Sequence, residues 1–193
     1  MSEIDRPIQI LVVEDAIENL RGIYRELAKA GFHTYTGLHA LIEGEPTILS
    51  RKGVAVGLIG NHVVAQELIE QHKPHTLYMD AELGVDAALD GVNGVDISIK
   101  ALRNNHTQGV VCITGSKPED MASRIREALA PQDVNVRAVA AMPNSNGFGG
   151  KKSPPAIAES ISKTVERLAA ELRAPVRGPD AMPSGSVAKA QFH

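Results

Sequence analysis

Three short and almost wholly apolar segments constrain the fold of this chain more than any other feature. They are Ile8–Val13, Thr76–Met79 and Val110–Ile113, and the residues that follow them are Glu14, Asp80 and Thr114. Apolar runs of this length are typical of parallel β-strands that are covered by helices on both faces. The sequence therefore predicts a buried parallel sheet in which several strands end on a carboxylate or a hydroxyl group.

Helical patterns separate these strands along the chain. Helices are predicted at Ile17–Ala30, His62–Gln71, Val95–Arg103, Pro118–Ala130 and Ile157–Leu172. The fourth is indicated by Pro118 and the acids Glu119 and Asp120, which suit the first turn of a helix. A second strand is predicted at Phe32–Thr36, and a fifth at Val134–Met142 or at a shorter segment that reaches Phe148. Strands that alternate with helices predict a doubly wound α/β sandwich with parallel strands.

Residues 37–60 fit this alternation less well. They contain a short amphipathic stretch, Leu38–Leu49, an apolar run, Val54–Ile59, and several glycines. The spacing of Gly53, Gly57 and Gly60 matches neither the dinucleotide-binding fingerprint nor the P-loop. We therefore interpret these glycines as ordinary turn residues rather than as a phosphate-binding loop.

The polar residues at the strand ends are expected to meet at one edge of the sheet. Right-handed crossovers put the carboxyl ends of parallel strands on the same edge, where ligands bind in such folds. The residues concerned are Glu14, Asp15, Asp80, Thr114 and Lys151. The simpler interpretation of Asp80, taken alone, is that it opens a turn or caps a helix.

This set of residue types favours phosphoryl and metal chemistry. Carboxylates that share a site repel one another, and a bound cation keeps them ionised. Oxygen ligands without His or Cys suit Mg²⁺ better than zinc. A carboxylate can also accept a phosphoryl group, while a hydroxyl and a lysine ammonium group contact the phosphoryl oxygens.

Composition limits the domain organisation and the classes of partner. The 193 residues, 43% of them hydrophobic, suit one domain over residues 1–173, followed by a Pro-, Gly-, Ser- and Ala-rich tail, residues 174–193, that we expect to be disordered. A net charge of -3 and an aromatic content of 3% do not favour nucleic-acid binding. The sequence has neither an apolar run of membrane-spanning length nor the pattern of a signal peptide. A single cysteine, Cys112, is predicted to be a buried thiol, and we expect a cytoplasmic protein.

The motifs at the strand ends resemble those of the receiver domain of bacterial two-component response regulators. The similar segments are Ile10–Asp15, Leu77–Asp80, Val110–Gly115 and Phe148–Lys151, which occur in the family's order within Ile8–Leu172. The resemblance implies a flavodoxin-like fold, in which a five-stranded parallel sheet forms the middle of a three-layer α/β/α sandwich. Relative to the family, the chain has insertions at residues 37–60, 84–94 and 131–147.

The resemblance also implies how the site works. Asp80 would accept a phosphoryl group from a histidine kinase or a phosphotransfer protein, with Mg²⁺ as the cofactor. The metal would be held by Glu14 and Asp15, directly or through water, by Asp80, and by the backbone carbonyl of Glu82. Thr114 and Phe148 would be the switch residues.

The lysine of the site is left open between two neighbours. Lys151 follows the aromatic residue as it does in the family, but Lys152 is adjacent, and the Lys-Pro pair that is usual in the family is absent. An alternative interpretation is that both lysines are solvated charges in front of the last helix.

The resulting hypothesis is a stand-alone receiver that signals through protein contacts and catalyses at most its own phosphorylation and dephosphorylation. We expect it to bind neither nucleic acid nor membranes. Whether it forms a homodimer is left open. One alternative is a degenerate receiver that binds proteins without phosphorylation. A second is a Mg²⁺-dependent phosphohydrolase of the haloacid-dehalogenase type. That class has a second Asp two residues after its nucleophile on the first strand, whereas Glu14-Asp15 is followed by Ala16-Ile17.

Overall fold

Seven strands and six helices make up the part of the chain that the structure describes. The computed structural model describes residues 7–83, 92–114, 118–130, 138–143 and 153–173, with the backbone alone described for residues 118–121 and 138–143. The strands are β1 (Ile10–Val13), β2 (His33–Thr34), β3 (Thr47–Arg51), β4 (Val54–Ile59), β5 (Thr76–Asp80), β6 (Gly109–Thr114) and β7 (Ala138–Pro143). The helices are α1 (Ile17–Lys29), α2 (His39–Ile42), α3 (His62–His72), α4 (Gly94–Arg103), α5 (Pro118–Leu129) and α6 (Pro154–Arg173).

The strands form one sheet in the order β2-β3-β4-β1-β5-β6-β7. Every neighbouring pair from β4 to β7 is parallel, whereas β2 pairs with β3 and β3 pairs with β4 in antiparallel fashion. When the five parallel strands alone are numbered along the chain, their order is 2-1-3-4-5, which is the flavodoxin-like order. The predicted fold class is confirmed, with two antiparallel strands added at one edge.

The predicted position of the second parallel strand was wrong. That strand is β4, from the apolar run Val54–Ile59, whereas Phe32–Thr36 supplies only the two-residue edge strand β2. The β3–β4 hairpin closes through Lys52 and Gly53, whose φ angles of 53° and 81° suit a tight turn between antiparallel strands. Residues 37–60 therefore hold both a central strand and part of the extension of the sheet edge. Gly53 lies in a turn, as predicted, whereas the prediction of a turn was wrong for Gly57, which lies inside β4.

The central strands are buried on both faces, as their composition predicts. One face packs against α3, α4 and α5 through residues that include Leu11, Leu77 and Cys112. The other face packs against α1 and α6 through residues that include Val12 and Tyr78. Burial raises the pKa of the Cys112 thiol to about 11, which keeps the thiol protonated and unreactive.

Four of the five long helices begin and end within one residue of their predicted bounds, and α6 begins three residues earlier than predicted, at Pro154. Helix α6 buries Ile157, Ile161, Val165 and Leu168, whereas Leu172 is 65% exposed near the end of the helix, contrary to its place in the predicted apolar face. Within the described ranges, no helix is both long enough and apolar enough to cross a membrane. The predicted tail and Phe148, Lys151 and Lys152 lie outside the described residues, as do residues 84–91, 131–137 and 144–147 of two predicted insertions.

The start of α4 lies very close to the end of β5. A Cβ atom added at Gly94 would be 1.7 Å from the carbonyl oxygen of Asp80 and 2.9 Å from Cγ of Met79. Asn93 caps the helix by accepting a hydrogen bond from the backbone N–H of Asp96 at 2.9 Å. The helix can approach the strand in this way only because residue 94 has no side chain.

Replacing Gly94 with alanine is expected to lower the free energy of unfolding by about 3 kcal/mol, because helix and strand must move apart to admit the methyl group. Denaturant titration measures the change. Gly60→Ala is the matched control, since its Cβ would meet its nearest atoms at 3.5 and 3.8 Å, which is ordinary contact. Equal losses in the two variants would contradict the close-approach explanation.

Candidate functional site

The register of β1 against β5 brings the acidic residues together. Val13 lies opposite Met79, so Glu14 and Asp80 follow at the same level of two neighbouring strands. The backbone N–H of Glu14 donates to Ile59 at 3.2 Å and so extends the ladder with β4 by one residue. Carboxylate oxygens of Glu14, Asp15 and Asp80 all lie within 4.8 Å of one another. The predicted convergence of these three residues is therefore observed.

Glu14 is fully buried and is oriented by its neighbours. Its Oε1 accepts hydrogen bonds from the backbone N–H of Ala16 at 3.2 Å and from Nδ2 of Asn19 at 3.3 Å. Asn19 lies in the first turn of α1, just after the strand. The sequence reasoning missed Asn19, although an amide four residues after Asp15, on a helix that starts there, was the available signal.

Asp80 is also fully buried, at the last position of β5. Its Oδ1 accepts a hydrogen bond from the backbone N–H of Glu82 at 3.1 Å, as the turn interpretation predicts. That bond does not explain why Glu14 and Asp15 approach the same carboxylate. The side chain of Glu82 is exposed, and the metal-binding role of its carbonyl stays a prediction.

Thr114 ends the strand next to Asp80 and is fully buried. Asp80 lies opposite Ile113 in the β5–β6 register, and the N–H of Ala81 donates to the carbonyl of Ile113 at 2.9 Å. The Thr114 residue is thus one position beyond the partner of Asp80, on a strand that lies about 4.8 Å away. This places the hydroxyl residue at the same edge as the carboxylates.

The remaining predicted site residues lie outside the described part of the chain. Phe148, Lys151 and Lys152 belong to residues 144–152, and the fifth parallel strand, β7, ends at Pro143. Their roles as switch and phosphate-contacting residues stay predictions.

The donor set fits a hard divalent cation. Among the residues that the structure describes, it consists of three carboxylates, two of them fully buried, with no His or Cys ligand. Mutual repulsion of such groups is relieved by a cation, and all-oxygen ligands are those that Mg²⁺ and Ca²⁺ prefer. Glu14, Asp15 and Asp80 would hold the ion, and Asn19 would keep the Glu14 carboxylate in position.

Comparison with known proteins gives similarity of structure alone. No family model matches the chain, and no curated protein matches it. A CheY-like response regulator receiver domain protein from Methanospirillum hungatei is 14% identical over 86% of this chain and 98% of its own, with a TM-score of 0.48. A response regulator protein from Burkholderia pseudomallei, solved with a phosphorylated aspartic acid, a calcium ion and citrate, is 16% identical over 86% of this chain and 71% of its own, with a TM-score of 0.46. A response regulator from Desulfuromonas acetoxidans is 13% identical over 86% and 98%, with a TM-score of 0.44.

Removal of one carboxylate is expected to stabilise the metal-free protein. Two such charges about 5 Å apart repel by about 3 kcal/mol at an effective dielectric constant of about 20, so Asp80→Asn should raise the free energy of unfolding by about 1 kcal/mol or more in chelator. Added Mg²⁺ should then stabilise the wild type more than the variant. Thermal melts with chelator or with Mg²⁺ measure both effects.

The control is Glu43→Gln, which removes an exposed acid beyond the end of α2 and should change stability by less than about 0.5 kcal/mol. A loss of stability in metal-free Asp80→Asn would show that the three carboxylates do not repel one another appreciably.

Proposed function

We propose that this chain is a receiver-type signalling protein that accepts a phosphoryl group on Asp80. The observation that carries the proposal is the arrangement at the carboxyl edge of the sheet: Asp80 is buried beside Glu14 and Asp15, with Thr114 ending the adjacent strand. This arrangement agrees with the order of motifs along the chain. Asp80 would be the nucleophile, Glu14 and Asp15 would hold the metal together with it, and Thr114 would contact the phosphoryl group.

The proposed reaction is attack of an Asp80 carboxylate oxygen on phosphorus. An O–P bond forms, the bond from phosphorus to the donor atom breaks, and that atom keeps the electron pair. With a phosphohistidine donor, the leaving atom is an imidazole nitrogen, which then binds a proton. Bound Mg²⁺ would supply charge neutralisation for the phosphoryl oxygens. Since the reaction needs mainly positioning, the hydrogen bond from the Glu82 N–H to Asp80 Oδ1 serves to fix the orientation of the nucleophile.

Thr114 is proposed to respond to phosphorylation of Asp80 by forming a hydrogen bond to the phosphoryl group. A phosphoryl group on Asp80 presents acceptor oxygens at the edge where β6 ends, and the Thr114 hydroxyl donates to one of them. Phe148 is proposed to move with Thr114, and Lys151 to bind a second oxygen. The output would then be a change in the surface that downstream proteins contact.

The partners follow from the same proposal. A histidine kinase or a phosphotransfer protein supplies the phosphoryl group, and a second protein reads the phosphorylated state in the cytoplasm. Domain organisation is proposed as a receiver over residues 1–173 and a tail over residues 174–193. The chain is not proposed to act on free substrates.

Phosphorylation of Asp80 is tested by incubation with a small acyl phosphate and Mg²⁺, followed by intact-mass measurement. One phosphoryl group should be added, it should be released by hydroxylamine, and chelator should prevent its addition. Asp80→Asn should abolish labelling, and Thr114→Ala should retain the site but slow labelling by about tenfold, because one hydrogen bond to the phosphoryl group is lost.

Glu82→Gln is the matched control, because it removes an adjacent exposed acid and keeps the proposed backbone ligand. Unchanged labelling in Asp80→Asn would disprove the site. Turnover of free phosphate esters would instead favour the phosphohydrolase, and failure of the wild type to bind Mg²⁺ or be labelled would favour a degenerate receiver.

The two candidate lysines are distinguished by separate substitution. Lys151→Ala should reduce the labelling rate by about tenfold or more, since it removes a cation from the phosphoryl group, and Lys152→Ala should leave the rate within about twofold. Stopped reactions analysed by intact mass give both rates. The opposite ranking would assign the role to Lys152, and two unchanged rates would support the interpretation of both lysines as solvated charges.

A further inference from the structure

A cleft lies against the first residues of β5, Thr76 to Tyr78, away from the acidic cluster at the end of the strand. It has a volume of about 630 Å³ and is bounded by α6 on one side and by β5 and β6 on the other. Its wall on the sheet side includes Tyr78, Gly109 and Val111, and the helix contributes Ser160, Thr164 and Arg167. This volume is in the range of small-molecule sites, which commonly have an apolar floor and a few convergent polar groups.

The helix side of the cleft is a polar stripe on the amphipathic helix α6. Ser160, Thr164, Arg167 and Glu171 recur at helical spacing and all line the cleft. They adjoin the apolar stripe of α6 that packs on α1 and the sheet. Val111, in the central strand β6, is only partly buried on this face. The cleft thus has Gly109 and the partly buried Val111 on its sheet side, opposite a wall of hydrogen-bonding groups on α6.

Three hydroxyl groups meet at the inner end of the cleft. The Tyr78 hydroxyl lies 3.0 Å from Oγ of Ser160 and 2.9 Å from Oγ1 of Thr164, and within the described ranges these are the hydrogen bonds of the three groups. Burial raises the pKa of the Tyr78 phenol, which keeps it a donor at neutral pH. The three hydroxyl groups have three protons, and the two hydrogen bonds between them use two of these. The third proton is therefore available for a hydrogen bond to a bound acceptor.

Arg167 adds a cation one turn further along the wall. Its Nη1 contacts Oε1 of Glu171 at 3.1 Å, which uses one of the five N–H donors of the guanidinium group. Nε2 of His75 lies 3.9 Å from the other carboxylate oxygen of Glu171, so Glu171 is close to both Arg167 and His75. The cleft therefore offers three hydroxyl groups and, one turn further along the same helix, the half-exposed guanidinium group of Arg167.

We propose that this cleft binds a small flat molecule that carries one carboxylate. The ring or other apolar part would lie on Gly109 and Val111, and the carboxylate would accept hydrogen bonds from the hydroxyl cluster and from Arg167. The contacts of Tyr78 with Ser160 and Thr164 could also serve only to provide hydrogen-bond partners for a buried phenol hydroxyl. The test distinguishes that structural role from ligand binding. The proposal does not depend on phosphorylation of Asp80.

The test measures binding of anilinonaphthalene sulfonate, an anionic aromatic dye, to the full chain by fluorescence titration. Saturable binding at one site is expected. Val111→Phe should weaken binding more than tenfold by filling the floor, and Arg167→Gln should weaken it about fivefold by removing the cation. Arg21→Gln, which removes another arginine that pairs with a glutamate on its own helix, should bind as the wild type does.

Competition then tests the requirement for a carboxylate. Benzoate should displace the dye at lower concentration than benzyl alcohol, and Arg167→Gln should remove that difference. Cooperative thermal melts verify that each variant is folded. If Val111→Phe does not fold, the binding measured for Arg167→Gln alone tests the proposal. Absence of saturable binding, binding that neither substitution affects, or equal displacement by the two competitors would overturn the proposal.

Discussion

Parallel pairing of β1 with β5 is the constraint on which the acidic cluster depends. Val13 lies opposite Met79, so that the next residue on each strand carries its carboxylate to the same level of the sheet. Successive residues of a strand point to opposite faces, so a shift of one residue would separate Glu14 from Asp80 and would also exchange the two buried faces of β1. The apolar residues that hold the core together therefore also set the geometry of the site.

The antiparallel strands β2 and β3 lie at the edge of the sheet, where they do not disturb the register of β1 with β5. Strands β2 and β3 join the sheet beyond β4, so two strands separate β3 from β5. The hairpin also meets α6, where Glu166 pairs with Arg51 at 3.2 Å and with Lys52. Exposed pairs of this kind contribute little to stability, and β-sheet pairing with β4 is the stronger attachment. An insertion at a sheet edge can thus enlarge the domain without moving the strands that carry the cluster.

The sequence was sufficient to predict the strands that end on polar residues and the helices between them, because burial on both faces leaves a continuous apolar run. The same rule distinguishes Val54–Ile59, buried at every position, from Phe32–Thr36, where polar residues interrupt the run and only an edge strand forms. Phe32–Thr36 was predicted to be the second parallel strand because it comes directly after the first helix, and this prediction was wrong. Asn19 contacts Glu14 only five residues away, so a local signal for it existed, whereas Gly94 could not be assigned locally because its close approach to Asp80 exists only in the folded chain.

Burial of Glu14 and Asp80 makes the cluster more than a solvated group of acids. Charged carboxylates are costly to remove from water, and a core selected for stability alone would place apolar residues at these positions. A bound cation would compensate this cost, and a phosphoryl group on Asp80, as proposed above, would change the local charge again. Tyr78 lies two residues earlier on the same strand and contacts Ser160 and Thr164 of α6. A displacement at Asp80 therefore has a direct physical connection to α6 through one strand and one group of hydroxyl contacts.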